Sequence, residues 1–177
     1  METTALQLFK DHQDKTRILI SSESGMARLV LHILDFCGIS TDYILDNGEK
    51  NIQNNDFLIF ESRHSDVALF HPNVVLLSSA SELSIPDLLN SITGGGVLVY
   101  PENNENINAA LENVENYFRR LPYTSTHPIG DTIETPMGAI PISFAKHPMV
   151  EHLEGIRLLV QQLSVMEEDF YEAVMTF

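Results

Sequence analysis

Along this chain, short runs of apolar residues alternate with segments in which apolar residues recur every three or four positions. A continuous apolar run bounded by small or polar residues is typical of a strand that is covered on both faces of a parallel sheet. An apolar residue at every third or fourth position is typical of a helix with one buried face. The runs predict strands at residues 17–22, 42–46, 56–61, 73–78 and 97–100.

The helical spacing lies between and after these strands. It covers residues 27–36, 86–92, 103–119, 149–163 and 167–175. Residues 131–142 contain two short β-runs around a Pro-Met-Gly turn, which predicts an antiparallel hairpin. Strands that alternate with helices predict an α/β fold, a doubly wound and mostly parallel sheet with the hairpin at one edge. We expect one such domain at residues 17–177, preceded by a helical extension at residues 1–16.

Composition and charge exclude several classes of function. With 10 Lys and Arg against 25 Asp and Glu, the net charge is −15. Binding to nucleic acid or to an anionic membrane needs clustered positive charge, so we expect neither. Cys37 is the one cysteine, which excludes an intramolecular disulfide and favours a reducing compartment. No apolar run approaches the ~18 residues that a membrane-spanning helix needs. We therefore expect a soluble, cytoplasmic protein.

The ends of the predicted strands are the places where a ligand is expected, because ligands of doubly wound sheets bind beyond the carboxyl ends of the strands. These places are residues 21–25, 61–66, 78–83 and 101–104. At the first of them a strand, a short polar turn with Gly25 and a helix follow one another. This order is the outline of a phosphate-binding loop, and it predicts a P-loop-like topology.

Four short segments, taken in order and with their spacing, carry a resemblance to a known family. They are residues 31–38, 56–61, 96–103 and 146–149, which read LHILDFCG, DFLIFE, GVLVYPEN and KHPM. Together they resemble the central, ATP-binding domain of the Mur ligase family. Within the family, they most resemble the branch that attaches a murein peptide to UDP-N-acetylmuramate. The resemblance extends from about residue 15 to Phe177.

The resemblance implies a set of site residues and cofactors. Ser22, Ser24 and Gly25 correspond to the family's nucleotide phosphate loop. Glu61 corresponds to its magnesium ligand, and His147 to the histidine of its Gly-x-His-Asn-x-x-Asn motif. In the family these residues serve an ATP-dependent ligation of an acid to an amino acid or peptide.

Several residues that this chemistry needs are absent from the sequence. An ATP-binding loop ends in Gly-Lys-Ser or Gly-Lys-Thr, whereas residues 21–28 read SSESGMAR. No lysine lies between Lys15 and Lys50, and Glu23 adds a negative charge to the loop. At an effective dielectric constant of about 20, two like charges about 4 Å apart repel by about 4 kcal/mol, which is comparable to the benefit of a phosphate contact. Residues 78–83 also lack the histidine with which the family holds a second metal.

These departures lead to two functional hypotheses. The first is a non-catalytic relative of the Mur ligase central domain that uses no cofactor and acts as a binding or interaction module. The second is a domain that still binds ATP and magnesium through an altered loop and completes a cell-wall peptide ligase with separate chains. Both take into account the expectation that the outer two domains of a Mur ligase do not fit in 177 residues. An unrelated enzyme on the same fold is the remaining alternative, because a fold alone does not determine a function.

The last predicted helix carries an apolar stretch formed by Phe170, Val174 and Phe177. In a full-length Mur ligase this stretch would adjoin the third domain. We expect it to form a homodimer or a protein-partner interface, and the alternative is that the same residues are buried in the core of the chain.

Overall fold

The computed structural model describes residues 4–22, 25–78 and 83–177. Its strands are β1 (Thr16–Ser21), β2 (Thr41–Ile44), β3 (Lys50–Asn51), β4 (Phe57–Glu61), β5 (Val74–Leu77), β6 (Gly96–Pro101), β7 (Phe118–Tyr123), β8 (Thr132–Thr135) and β9 (Gly138–Pro141). Its helices are α1 (Ala5–Asp11), α2 (Met26–Phe36), α3 (Ile85–Ser91), α4 (Glu105–Glu112), α5 (Leu153–Gln161) and α6 (Glu167–Met175). Short 3-10 helices occur at Ser65–Phe70 and Pro148–His152. Within the described ranges, no helix is both long and apolar enough to cross a bilayer.

The strands form one large sheet and one hairpin. The large sheet has the order β3-β2-β4-β1-β5-β6-β7, and β8 pairs with β9 in the hairpin. All neighbours in the large sheet are parallel except β2 and β3, and the hairpin is antiparallel. The predicted α/β fold with a mostly parallel sheet and a late hairpin is therefore confirmed, although the hairpin forms a sheet of its own and does not pair with an edge of the large sheet.

Helices cover both faces of the large sheet. Successive side chains of a strand point to opposite faces, so Ile18 and Ile20 of β1 pack with α2, α5 and α6, whereas Leu19 packs with α1, α3 and α4. The hairpin joins the first of these clusters through Ile133 and Ile140. Burial on both faces explains why the central strands read as continuous apolar runs in the sequence.

Helix α1, the predicted N-terminal extension, packs onto the sheet. Its Ala5 and Leu8 are buried in the cluster on the second face. The guanidinium of Arg17, at the start of β1, donates hydrogen bonds to the carbonyls of His12 and His71 and lies 5.1 Å from the ring centroid of Phe9. These contacts join the end of α1 to the amino ends of the central strands.

The helix predicted at residues 103–119 is wrong in its second half. Helix α4 ends at Glu112, and the chain then forms β7, which pairs with β6 as the outermost strand. The amide of Asn116 donates to the carbonyls of Leu89 and Ile92, which anchors the chain between the two elements. The apolar spacing of this segment fits a helix, but pairing with a distant strand decides the structure, and that pairing is not visible in a local window.

Candidate functional site

Helix α2 begins shortly after β1, close to the ends of β2 and β4. Ser22 is buried, and Gly25 precedes α2 in a left-handed conformation with φ of 68°, which favours glycine. Ser24, the third predicted loop residue, lies outside the described residues, as does Glu23. Residues 79–82, which form most of the segment predicted at the end of β5, also lie outside them.

A cavity of about 320 Å³ lies between the start of α2 and the ends of β2 and β4. We call it the α2 cavity, and its lining residues are Ser22, Gly25, Arg28, Leu45, Asp46, Asn47, Glu61 and Arg63. It brings together Ser22, Gly25 and Glu61, three of the five residues singled out from the sequence. They meet because β1 and β4 are adjacent parallel strands whose carboxyl ends lie at the same edge.

The two positive side chains among the described lining residues of the α2 cavity each lie close to a carboxylate. The guanidinium of Arg28 lies 2.5 Å from the carboxylate of Glu49. The guanidinium of Arg63 lies 3.5 Å from the carboxylate of Asp46. A guanidinium that already faces a carboxylate has less charge to offer to a phosphate, so an entering phosphate would have to compete with both acids.

The predicted magnesium ligand is held by the backbone of the turn after β2. Glu61 Oε2 accepts a hydrogen bond of 3.3 Å from the N–H of Asp46. Burial raises the pKa of the Glu61 carboxyl above its ordinary value, and the nearby charge of Asp46 adds to this effect. The hydrogen bond from Asp46 and the positive charges of Arg28 and Arg63 lower the pKa, but they offset the rise only in part.

Replacing Glu61 by glutamine is expected to stabilise the protein at neutral pH. A carboxyl whose pKa is raised by folding costs stability as the pH rises through its folded pKa, and glutamine carries no such cost. The thermal midpoint of Glu61→Gln should exceed that of the wild type at pH 7, and the difference should vanish at pH values where the carboxyl is protonated in both states. For a chain of this size, each kcal/mol of added unfolding free energy raises the thermal midpoint by about 2 to 4 °C. An equal difference at both pH values would contradict this account.

His147 lies elsewhere. Its side chain is exposed and precedes the 3-10 helix Pro148–His152, where Nδ1 accepts a hydrogen bond of 3.2 Å from the N–H of Met149. It is not among the described residues that line the α2 cavity. The role that the structure gives to His147 is that of a helix cap.

The structure also joins Tyr123 and His152, a pair that no sequence motif indicates. The hydroxyl of Tyr123 donates to the carbonyl of Leu77 at 2.8 Å and lies 2.9 Å from Nδ1 of His152, which places the imidazole proton on Nδ1. Burial raises the pKa of Tyr123 and lowers the pKa of His152, and the charge of Glu151 offsets part of the second shift. Tyr123 belongs to β7, so the missed strand is also the reason why the pair was missed.

The described residues do not fit a magnesium–triphosphate complex. They contain no group of three or more His, Cys, Asp or Glu side chains placed to hold a metal ion. The α2 cavity has no lysine among its described lining residues, and its guanidiniums face carboxylates. Tight binding of the two outer phosphates requires cations that are free to reach them.

Two of the three residues predicted to form an interface are buried in the core of the chain. Phe170 and Val174 pack in the cluster with α2 and α5. Phe177 is 40% exposed and contacts the rings of His32 and Phe144. The alternative of core burial thus holds for Phe170 and Val174, and an interface at Phe177 stays a prediction.

Comparisons with known proteins identify the fold. No protein-family model and no curated protein matches the chain. Among solved structures, the chain is similar to the UDP-N-acetylmuramate:L-alanyl-gamma-D-glutamyl-meso-diaminopimelate ligase from Neisseria meningitides, with a TM-score of 0.74, 10% identity and coverage of 97% of this chain and 69% of that one. It is similar to a murein peptide ligase from Psychrobacter arcticus 273-4, with a TM-score of 0.76, 11% identity and coverage of 98% and 49%. It is also similar to E. coli FolC in complex with DHPP and ADP, with a TM-score of 0.64, 9% identity and coverage of 98% and 60%.

The resemblance found in the sequence is therefore confirmed at the level of the fold. The chain has the fold of the Mur ligase central domain, which the similar folylpolyglutamate synthetases share. It spans about half of the length of the Psychrobacter ligase.

Proposed function

We propose that this chain is a Mur-ligase-like domain that does not use ATP and acts by binding a protein or a small ligand. The observation that carries the proposal is the pairing of charges in the α2 cavity. Arg28 faces Glu49, Arg63 faces Asp46, and Glu61 accepts a hydrogen bond from the backbone. A nucleotide would have to break these contacts to gain its own, and the lost pairings would reduce its net binding energy.

The alternative is an ATP- and magnesium-binding domain of a cell-wall peptide ligase system. Two observations favour it. Gly25 has a left-handed conformation before α2, and Glu61 lies at the end of β4 beside the same cavity. The similarity to ligases, and to an E. coli FolC structure that contains ADP, supports it at the level of the fold.

Calorimetric titration with ATP and magnesium distinguishes the two proposals. We expect no binding tighter than about 1 mM for the wild type, because both guanidiniums among the described lining residues already face carboxylates. A dissociation constant below about 100 μM would contradict the first proposal and support the second.

A matched pair of variants locates any binding that is found. Glu61→Gln removes the carboxylate that would hold magnesium, whereas Glu112→Gln makes the same change at an exposed position at the end of α4. Binding through the predicted magnesium site requires that Glu61→Gln weaken it at least about tenfold while Glu112→Gln leaves it unchanged.

A further inference from the structure

A second and larger cavity lies on the opposite side of β2 and β4, next to α1. Its volume is about 570 Å³, within the range of small-molecule sites. We call it the α1 cavity, and its lining residues are Thr4, Ala5, Ile44, Leu45, Asp46, Gly48, Lys50, Phe60, Glu61, Ser62, His64, Ser65 and Asp66. It shares Leu45, Asp46 and Glu61 with the α2 cavity.

The α1 cavity has an apolar part that suits a hydrocarbon body. Ala5, Ile44, Leu45 and Phe60 contribute to its lining from three separate elements or their ends. The ring of Phe60 is fixed by an edge contact with Phe70, with 5.2 Å between the ring centroids. A fixed ring offers a preformed contact surface, so a ligand need not order it on binding.

The charged part of the same lining is mainly acidic. Among the described residues, the cavity is lined by three carboxylates, those of Asp46, Glu61 and Asp66, and by one ammonium group, that of Lys50. Asp46 is partly neutralised by Arg63 on the other side, whereas Oε1 of Glu61 has no hydrogen-bond partner among the described residues. A cavity with an excess of negative charge and low-dielectric walls attracts cations and repels anions.

A buried hydroxyl in this cavity also lacks one partner. Ser62 is 2% exposed, and its Oγ accepts a hydrogen bond of 3.2 Å from the N–H of His64. Within the described parts of the chain, its hydroxyl proton has no acceptor. Buried polar groups in proteins are normally satisfied, so an oxygen atom of a ligand in this cavity could accept a hydrogen bond from this donor.

We propose that the α1 cavity binds a small organic ammonium compound with an apolar body and one hydroxyl or ether oxygen. The ammonium group lies between the carboxylates of Glu61 and Asp66, the oxygen accepts from Ser62, and the body packs against Phe60. This inference rests on the proposed function, in which the chain acts by binding, and it adds the chemical class of the ligand.

Calorimetry with three probes of nearly equal size tests the charge preference. The probes are 2-amino-1-phenylethanol, 2-phenylethylamine and 3-phenylpropionate. We expect dissociation constants of about 0.1 to 1 mM for the amino alcohol, a value about threefold weaker for the simple amine, and no measurable binding of the carboxylate. Equal binding of the amine and the carboxylate would overturn the proposal.

Three variants and one control test whether the charged residues of the α1 cavity bind the amino alcohol. Glu61→Gln and Asp66→Asn should each weaken binding of the amino alcohol about tenfold, because each removes a charge-assisted hydrogen bond. Lys50→Gln should strengthen it by removing a like charge, and this gain requires a folded protein. Glu112→Gln, at the exposed end of α4, should change nothing. Unchanged affinity in all three cavity variants would overturn the proposal.

The outcomes separate this inference from the proposed function. If ATP binds tightly and the amino alcohol also binds, the proposed function fails and the α1 cavity stands. If the amino alcohol does not bind at 10 times its highest expected constant, which is about 10 mM, the inference fails and the proposed function is unaffected.

Discussion

Replacing Asp42 by asparagine is expected to lower the free energy of unfolding by about 3 to 5 kcal/mol, the usual cost of removing one member of a buried ion pair. Asp42 is fully buried in β2. Its carboxylate accepts hydrogen bonds from the N–H groups of Gln53, Asn54 and Asn55 and lies 3.5 Å from Nζ of Lys15. An asparagine would turn an N–H₂ group towards these donors and leave the ammonium group of Lys15 buried without its counter-charge.

The same contacts predict how this effect depends on pH. Burial alone would raise the pKa of Asp42, but the hydrogen bonds from Gln53 and Asn55, together with the charge of Lys15, outweigh it and lower the pKa. A carboxyl whose pKa is lowered by folding contributes stability above its unfolded pKa, and that contribution is lost as the pH falls through the folded pKa. The difference between wild type and Asp42→Asn should therefore be full at pH 7 and shrink in acid.

Asp56→Asn is the matched control for this measurement. Asp56 is exposed, and the change is chemically identical. The free energy of unfolding of this variant, measured with urea, should differ from that of the wild type by no more than about 0.5 kcal/mol. If Asp42→Asn lowered the free energy of unfolding no more than Asp56→Asn does, the buried contacts of Asp42 would not contribute the stability expected of them.

Replacing Gly155 by alanine is expected to destabilise the protein by about 1 to 3 kcal/mol, the usual cost of overpacking. Gly155 lies in α5, and a Cβ atom at this position would lie 2.6 Å from Cε1 of Tyr123. The ring cannot move aside freely because its hydroxyl is bonded to the carbonyl of Leu77 and to His152. The substitution therefore strains either the helix or the Tyr123–His152 contact.

A double-mutant cycle with Tyr123→Val isolates the cause. Valine lacks the ring atoms that meet the new methyl group, so Gly155→Ala should no longer destabilise in that background. It should instead stabilise by up to about 1 kcal/mol, because alanine is the better helix former. The same loss of stability in both backgrounds, measured by urea unfolding, would show that the ring is not responsible.

The central part of the fold could be predicted from the sequence because its signals are local. Strands β1, β4, β5 and β6 are buried on both faces, and each therefore reads as an unbroken apolar run. Strand β7 is covered less completely, since Arg119 and Arg120 are exposed, and its segment also fits a helical spacing. Only its pairing with β6 distinguishes the two structures.

The candidate site could be predicted in part for a similar reason. Ser22, Gly25 and Glu61 lie at the ends of strands whose adjacency follows from the fold class. The contacts that change the chemistry of the site join residues far apart in sequence. The pairing of Arg28 with Glu49 and the hydrogen bond from Asp46 to Glu61 depend on where the turn after β2 comes to lie. No local pattern encodes that position.

The outer edge of β7 affects how the molecule behaves in concentrated solution. An open strand can template the pairing of a second molecule and so begin a fibre. Here Pro122 lacks the N–H that a new ladder would need, and the adjacent guanidiniums of Arg119 and Arg120 would repel their copies across a two-fold contact. This end of the sheet is thus protected against edge-to-edge aggregation.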